Sequence, residues 1–276
     1  MLARPSMDPF KERVAVITGG AGGIGMAMAR AFAARGAALV LADLDEAALA
    51  TSVAELQGSG ARALGVPTDV TRPESVQGLA AATVKAFGAA HIVCNNAGVA
   101  TFGEMHGASH RDWVFTMNVN FWGVVYGLEA FVPILLEQGQ GGHIVNTASM
   151  AGLVGMRWLG IYCASKFAVV GATEALHREL TPLGIGVSVL CPMIVDTAIN
   201  ENSARMRPRD LRNATEMPIP PASSMAGGVI AAPEVARRVV RGIERGDLYI
   251  LTHPEQREFL RRRAAKLDGM FEEGVW

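Results

Sequence analysis

Tyr162 and Lys166 stand four residues apart in the run Tyr-Cys-Ala-Ser-Lys. At that spacing a helix carries both side chains on one face, one turn apart. A phenol beside an ammonium is a proton-transfer pair, because the cation stabilises phenolate and draws the tyrosine pKa toward neutral. The chain has only three tyrosines and four lysines, and mainly apolar residues follow at 167–170. A solvated surface pair is therefore the weaker reading. Thirteen residues before the tyrosine, Ser149 closes Asn-Thr-Ala-Ser at the end of an apolar run, which places a hydroxyl at the carboxyl edge of a sheet. Open α/β sheets bind ligands along that edge. Cys-Asn-Asn-Ala-Gly at 94–98 ends another apolar run there, bringing the amides of Asn95 and Asn96.

Near the N-terminus, residues 18–25 read Thr-Gly-Gly-Ala-Gly-Gly-Ile-Gly. Glycines between a strand and a helix let backbone approach a pyrophosphate, and the helix start offers free N–H groups. The run satisfies both G-x-G-x-x-G (Gly20, Gly22, Gly25) and T-G-x-x-x-G-I-G (Gly19, Gly23, Ile24, Gly25); the competing reading is a tight turn without a ligand. Asp43 ends the next apolar run. A carboxylate there accepts hydrogen bonds from ribose hydroxyls and repels a 2′-phosphate, so NAD is favoured and NADP disfavoured. Its competing role is to cap the following helix.

These residues need elements to carry them. Apolar strand segments are predicted at 14–18, 38–42, 62–67, 91–95, 143–147, 186–191 and 248–251. Helical patterns fill 23–35, 45–56, 109–136 and 162–180, and Thr-Arg-Pro-Glu at 71–74 has capping-box spacing for a helix running to Phe87. Asn118 falls inside the 109–136 helix, where asparagine is unfavourable without a reason. Seven strands that are apolar throughout, joined by helices, imply one doubly wound, Rossmann-like α/β domain with helices on both faces of a parallel sheet. Residues 200–233 are rich in proline and arginine with no strand pattern, and they read as a lid. The substrate-binding excursion is set at 193–233 and a helical tail at 253–276, within a single domain of 1–276.

Composition sets outer limits. Half of the 276 residues are hydrophobic and the formal net charge is -1. Disorder is excluded, and no basic excess is available for nucleic acid or a membrane surface. Glu129 and Pro133 interrupt the most apolar helix, residues 1–13 lack an apolar leader, and Cys94, Cys163 and Cys191 form no CxxC pair. A cytoplasmic protein with reduced core cysteines and no membrane span is expected.

Taken together, the motifs resemble those of the short-chain dehydrogenase/reductase family over about residues 10–197. Thr18 to Gly25 carry T-G-x-x-x-G-I-G, Asn95 to Gly98 N-N-A-G, and Tyr162 to Lys166 Y-x-x-x-K. The resemblance implies Tyr162 as general acid/base, Ser149 as the group that orients the substrate oxygen, Lys166 on the nicotinamide ribose, and Asn118 holding a proton-relay water. It also implies Asp69 at the adenine ring, Asn95 and Gly98 in support, Thr197 at the carboxamide, and a homodimer or homotetramer. One departure is Pro192-Met193, where the family has Pro-Gly.

Met150, Met156, Trp158 and Met193 are the expected apolar substrate pocket, with Met206, Met217 and Met225 as lid candidates. That composition favours a bulky, aromatic or alicyclic secondary alcohol and its ketone. Arg205, Arg207, Arg209 and Arg212 keep a second reading open, an anion site for a 3-oxoacyl thioester on CoA or a carrier protein. A non-catalytic NAD-binding protein is the third. His106 and His110 share helical spacing without a third ligand, so no metal is expected.

Overall fold

The computed structural model describes residues 8–213 and 227–271. Strand β1 (Val14–Thr18) is buried along its whole length. Val14 and Val16 enter one core while Ala15 and Ile17 enter the other, as the two-residue period of a strand requires. The chain then alternates through α1 (Gly23–Ala33), β2 (Ala38–Asp43), α2 (Glu46–Gly58), β3 (Ala63–Pro67), α3 (Pro73–Phe87) and β4 (Ile92–Asn95). After α4 (His110–Met117) and α5 (Gly123–Gln138) come β5 (Gly142–Thr147), α6 (Gly160–Leu180) and β6 (Ile185–Cys191). The last part holds β7 (Val195–Asp196), α7 (Ile199–Met206), β8 (Ile230–Ala231), α8 (Ala232–Arg245), β9 (Tyr249–Leu251) and α9 (Arg257–Asp268).

Seven strands form one parallel sheet in the order β3-β2-β1-β4-β5-β6-β9. Helices α1, α2 and α8 cover one face around Phe32, and α3, α5 and α6 cover the other around Phe131. Both rings are fully buried, and truncating either to alanine would cost about 3–5 kcal/mol. Strand order reverses at β1, which lies between β2 and β4. The loops leaving β1 and β4 therefore diverge and open a crevice at their carboxyl ends.

Three local readings are corrected. The capping box at 71–74 does not form: Pro73 opens α3, Arg72 is its cap without a side-chain bond, and the Thr71 hydroxyl donates to Asp69 Oδ1 at 2.7 Å. The predicted helix over 109–136 is α4 and α5 joined by a π turn, Asn118–Trp122. Residues 200–233 do contain a strand, because Ile230 and Ala231 pair in parallel with Val195 and Asp196. The helical run His110–Gln138 is long and apolar enough to cross a membrane by length and composition, despite Glu129 and Pro133. Here 39% of its most apolar window is buried, and Phe131 and Leu135 belong to the core. Met217, Met225 and the ends of the chain lie outside the described residues.

Candidate active site

The carboxyl edge of β1 is fastened to that of β4 by one hydroxyl. Thr18 Oγ1 accepts from the N–H groups of Asn96 (2.9 Å) and Ala97 (3.1 Å). Asn96 Nδ2 returns a bond to Thr18 O (3.0 Å). Above this joint lies a cavity of about 510 Å³ that runs from the glycine turn to α7. At one end it is lined by Gly19, Gly23, Ile24, Asp43 and Asp69. Asn118, Ser149, Tyr162 and Lys166 meet at its middle, and Thr197, Met156 and Met193 line it as well.

The glycine turn has the shape of a phosphate cradle. Gly19 has φ +63, which strains any residue with a side chain. A Cβ on Gly25 would lie 2.1 Å from the Gly19 carbonyl oxygen, so Gly25 lets α1 pack under the turn and is not itself on the cavity wall. No side chain caps α1, which leaves its first N–H groups free to meet an anion. Asp43 closes that end. Its Oδ2 accepts from Ala21 N–H and its Oδ1 from Asp45 N–H, both at 3.1 Å. The cap of α2 is Asp45, which accepts from Ala48 N–H, so the capping role proposed for Asp43 belongs to its neighbour. These residues fit a dinucleotide.

At the centre, the 3₁₀ turn Met150–Gly152 and the first turn of α6 present Ser149 and Tyr162 to the same space. Ser149 Oγ donates to Pro192 O and accepts from Ala151 N–H, each at 3.2 Å. Lys166 Nζ donates to Thr147 O at 2.9 Å and stands 5.7 Å from the centre of the Tyr162 ring. Burial pushes the Tyr162 phenol up to about 12, opposed in part by its hydrogen bond with Ser149. Burial also pulls the Lys166 ammonium down to about 8. Desolvation thus sets the direction of the tyrosine shift, and the group that lowers it is Ser149 and not the lysine expected to do so. Tyr162 is held as the protonated acid, the form that donates to a carbonyl oxygen.

The π turn has a local purpose. Gly123 N–H reaches back five residues to Asn118 O, and the widened turn brings two asparagines inward. Asn118 lines the cavity. Asn120 is buried and takes both backbone groups of Val99, at 2.8 and 3.0 Å, while its Nδ2 also donates to Ser165 Oγ. It therefore joins the β4 loop to α6 beside Lys166. Sequence reasoning gives Asn120 no role and reads Thr18 only as the first residue of the glycine motif, although Asn-Val-Asn within an apolar stretch is a visible signal.

Three expected site residues lie elsewhere. Asn95 is buried between strands, donating to Asn146 Oδ1 at 2.9 Å. Met150 is 1% exposed, packed inside its 3₁₀ turn with its N–H on Pro192 O. Trp158 has φ +69, its carbonyl accepts from Gly103 N–H, and the Arg157 guanidinium lies 5.1 Å from its ring. That turn carries the indole off the cavity wall. Phe102, Phe115, Leu159, Met206 and Leu211 take the expected place of Met150 and Trp158. The arginines of the lid do not converge either. Arg205 pairs with Asp45 at 2.8 Å, Arg207 with Asp112 at 2.7 Å, and the anion site drawn from their sequence proximity is not assembled. Among the described residues, no three His, Cys, Asp or Glu side chains come together to hold a metal.

A dinucleotide cradle, a Ser-Tyr-Lys centre and a doubly wound parallel sheet define an oxidoreductase that works with NAD(P). The profile of the short chain dehydrogenase family matches residues 13–208. C alpha-dehydrogenase of Sphingobium sp. is 34% identical over 261 residues, 93% of this chain and 85% of that protein. A short-chain dehydrogenase/reductase from Burkholderia phymatum, solved in complex with NAD, is 40% identical with a TM-score of 0.89, covering 96% of this chain and 97% of that one. An alcohol dehydrogenase from Thermococcus sibiricus, solved with 5-hydroxy-NADP, is 27% identical with a TM-score of 0.73, covering 87% and 96%. The chain belongs to the short-chain dehydrogenase family.

Proposed function

We propose that this protein interconverts bulky, largely apolar secondary alcohols and their ketones, with NAD in preference to NADP. The observation that carries the reading is the single cavity that joins Asp43, the Ser149–Tyr162–Lys166 centre and an apolar wall. Glycines 19 and 23 and the free start of α1 would hold the pyrophosphate, Asp43 the adenine ribose, Asp69 the adenine, Lys166 the nicotinamide ribose and Thr197 the carboxamide. When bound, the nicotinamide supplies or accepts the hydride.

The chain's own side chains supply position and the proton. Ser149 and Tyr162 hydrogen-bond the substrate oxygen from adjacent directions. In reduction the Tyr162 hydroxyl donates its proton to that oxygen, and in oxidation the tyrosine oxygen takes it back. Lys166 offsets the negative charge on the phenolate, and Asn118 holds the water through which the proton is replaced. Negative charge at the adenosine end argues for NAD: Asp43 and Asp45 stand together, and the nearby cation, Arg205, is already paired with Asp45. The NAD-bound Burkholderia relative supports this choice, and the NADP-type ligand of the Thermococcus relative makes the comparison of both cofactors the necessary control.

Phe102, Phe115, Leu159, Met156, Met193 and Met206 support an apolar substrate. The free, buried cysteines fit the reducing cytoplasm, and the family relationship supports a homodimer or homotetramer of this single domain. The test is NADH formation from a panel of secondary alcohols spanning 2-propanol, 1-phenylethanol, cyclic alcohols and hydroxyacyl thioesters, with NAD and NADP in parallel. Turnover of the aryl and cyclic alcohols with NAD is expected. Preferential use of thioesters or of 2-propanol would overturn the substrate assignment.

A further inference from the structure

Arg207 touches two separate parts of the cavity wall without lining the cavity itself. Its Nε donates to the main-chain oxygen of Leu211 at 2.7 Å, and its guanidinium lies 5.2 Å from the centre of the Phe115 ring. Leu211 and Phe115 both face the cavity, from the segment after α7 and from α4. The same guanidinium is held by Asp112, 2.7 Å away, in a pair whose side chains are only 16% and 7% exposed. Asp112 in turn belongs to the capping box of α4 with Ser109 and accepts two bonds from Asn213 Nδ2, at 2.9 and 3.0 Å. Arg111 on α4 adds a bond to Arg212 O.

The other end of this segment is held differently. Arg205 meets Asp45 in a pair exposed by 57% and 21%, which water and salt screen. Residues 199–213 are therefore fastened loosely over the adenosine end and firmly against α4. A half-buried arginine that meets a carboxylate by charge, a carbonyl by its Nε hydrogen bond and an aromatic ring by its face is constrained from three sides. Lysine cannot satisfy the three together.

We propose that Arg207 is a positioning residue that clamps residues 207–213 onto α4 and so fixes the apolar wall formed by Phe115, Met206 and Leu211. It sets the fit of bulky substrates rather than the chemistry, and in this respect the proposal rests on the alcohol dehydrogenase reading above. The clamp gives the segment a charge with no role toward an anionic substrate, since the cation is spent on Asp112.

The test compares the full-length wild type with Arg207→Met, Arg207→Lys and Asp112→Asn, saturated with NADH for digestion and with NAD for alcohol turnover. Limited trypsin digestion, with fragments identified by mass, reads the segment directly through cleavage after Arg209 and Arg212. Arg207→Met and Asp112→Asn are expected to speed those cuts at least about fivefold, because local opening exposes them. In kinetics Arg207→Met should raise KM for 1-phenylethanol about tenfold with kcat within about threefold, and raise KM for 2-propanol much less. Arg207→Lys should fall between wild type and Arg207→Met in both measurements. Wild-type cleavage rates and KM values in both charge-removing variants would overturn the proposal. So would a lowered Tm without any change in KM ratio, which marks a merely structural pair. A wild type that does not favour 1-phenylethanol would remove the substrate reading, while the cleavage rates would still decide for or against the clamp.

Discussion

Lys166 Nζ donates to the main-chain oxygen of Thr147 across 2.9 Å, so the lysine is anchored to the end of β5 and not to Tyr162. The anchor leaves its remaining hydrogens free for the cavity and fixes the charge on the tyrosine side of the sheet. Holding an ammonium there is costly. Burial lowers its pKa from 10.5 to about 8, so at pH 7 the folded protein carries a cation that burial disfavours.

Replacing Lys166 should therefore separate stability from activity. The shift corresponds to about 3 kcal/mol of unfavourable burial for the charged form. After loss of the Thr147 bond, Lys166→Met is expected to stabilise the cofactor-free protein at pH 7 by about 1–2 kcal/mol. The sign follows from the lowered folded pKa: the cost is complete below pH 8 and disappears as pH rises from about 8 to 10.5. Urea unfolding at pH 7 and pH 10 would measure the difference, and a variant less stable than wild type at pH 7 would contradict it. Turnover should be lost in the same variant. Tyr162→Phe should lower kcat by about two to four decades while NADH binding, followed by fluorescence, changes only a few-fold.

Cofactor preference is expected to depend on Asp43. A ribose phosphate placed against this carboxylate costs more than about 1.4 kcal/mol, or a tenfold preference for NAD in kcat/KM. Asp43→Ala should narrow that gap, chiefly by impairing NAD use. It should also weaken both cofactors somewhat, since Asp43 holds Ala21 N–H and hence the glycine turn. Equal kcat/KM for NAD and NADP in the wild type would defeat this account.

The cradle and the central triad of side chains are legible in the sequence because their chemistry works over short spans: Gly19 to Gly25, Tyr162 to Lys166, and Ser149 at a strand end. Strand positions are legible for a related reason, since buried parallel strands are continuous apolar runs. What escapes is geometry that leaves no local signal. The π turn at Asn118 adds one residue inside an otherwise continuous helical pattern. Trp158 adopts φ +69, a conformation its own side chain disfavours, so no propensity would place it there. The carboxylates that occupy Arg205 and Arg207 come from the cap of α2 and from α4, far away along the chain, and only folding reveals that these two arginines are already paired.

Acid should weaken the fold before it reaches the lowered carboxylates. His143 is buried on β5 with Nε2 at 2.8 Å from Ser188 Oγ, and burial holds its pKa down at about 4. His91 is shifted in the same direction. A histidine kept neutral by the fold contributes stability above its unfolded pKa of 6.5, which is lost as pH falls toward 4. His143 alone accounts for about 3 kcal/mol over that window. Asp45 and Asp112 have pKa values below 3.8, so their contribution goes only at lower pH. Unfolding free energy measured between pH 7 and 4 should decline in the wild type and decline less in His143→Gln. Parallel curves for the two proteins would rule out His143 as the cause.

The shape of the cavity makes a quantitative claim about substrates. Phe102, Phe115, Leu159 and Met206 present apolar surface beside the Ser149–Tyr162 centre. At about 25 cal/mol per Å², burying about 100 Å² of a phenyl group is worth about 2.5 kcal/mol, nearly two decades in kcat/KM if fully realised. 1-Phenylethanol is therefore expected to exceed 2-propanol by one to two decades. Phe115→Ala should remove much of that advantage, since it both enlarges the pocket and takes away the face on which Arg207 rests. Trp158→Ala should alter it far less, because the indole lies off the cavity wall. The two variants thus discriminate between the wall seen in the structure and the one inferred from sequence proximity to Tyr162. If Trp158→Ala erodes the aryl preference more than Phe115→Ala does, the bound enzyme brings Trp158 to the substrate and the wall described here is the wrong one.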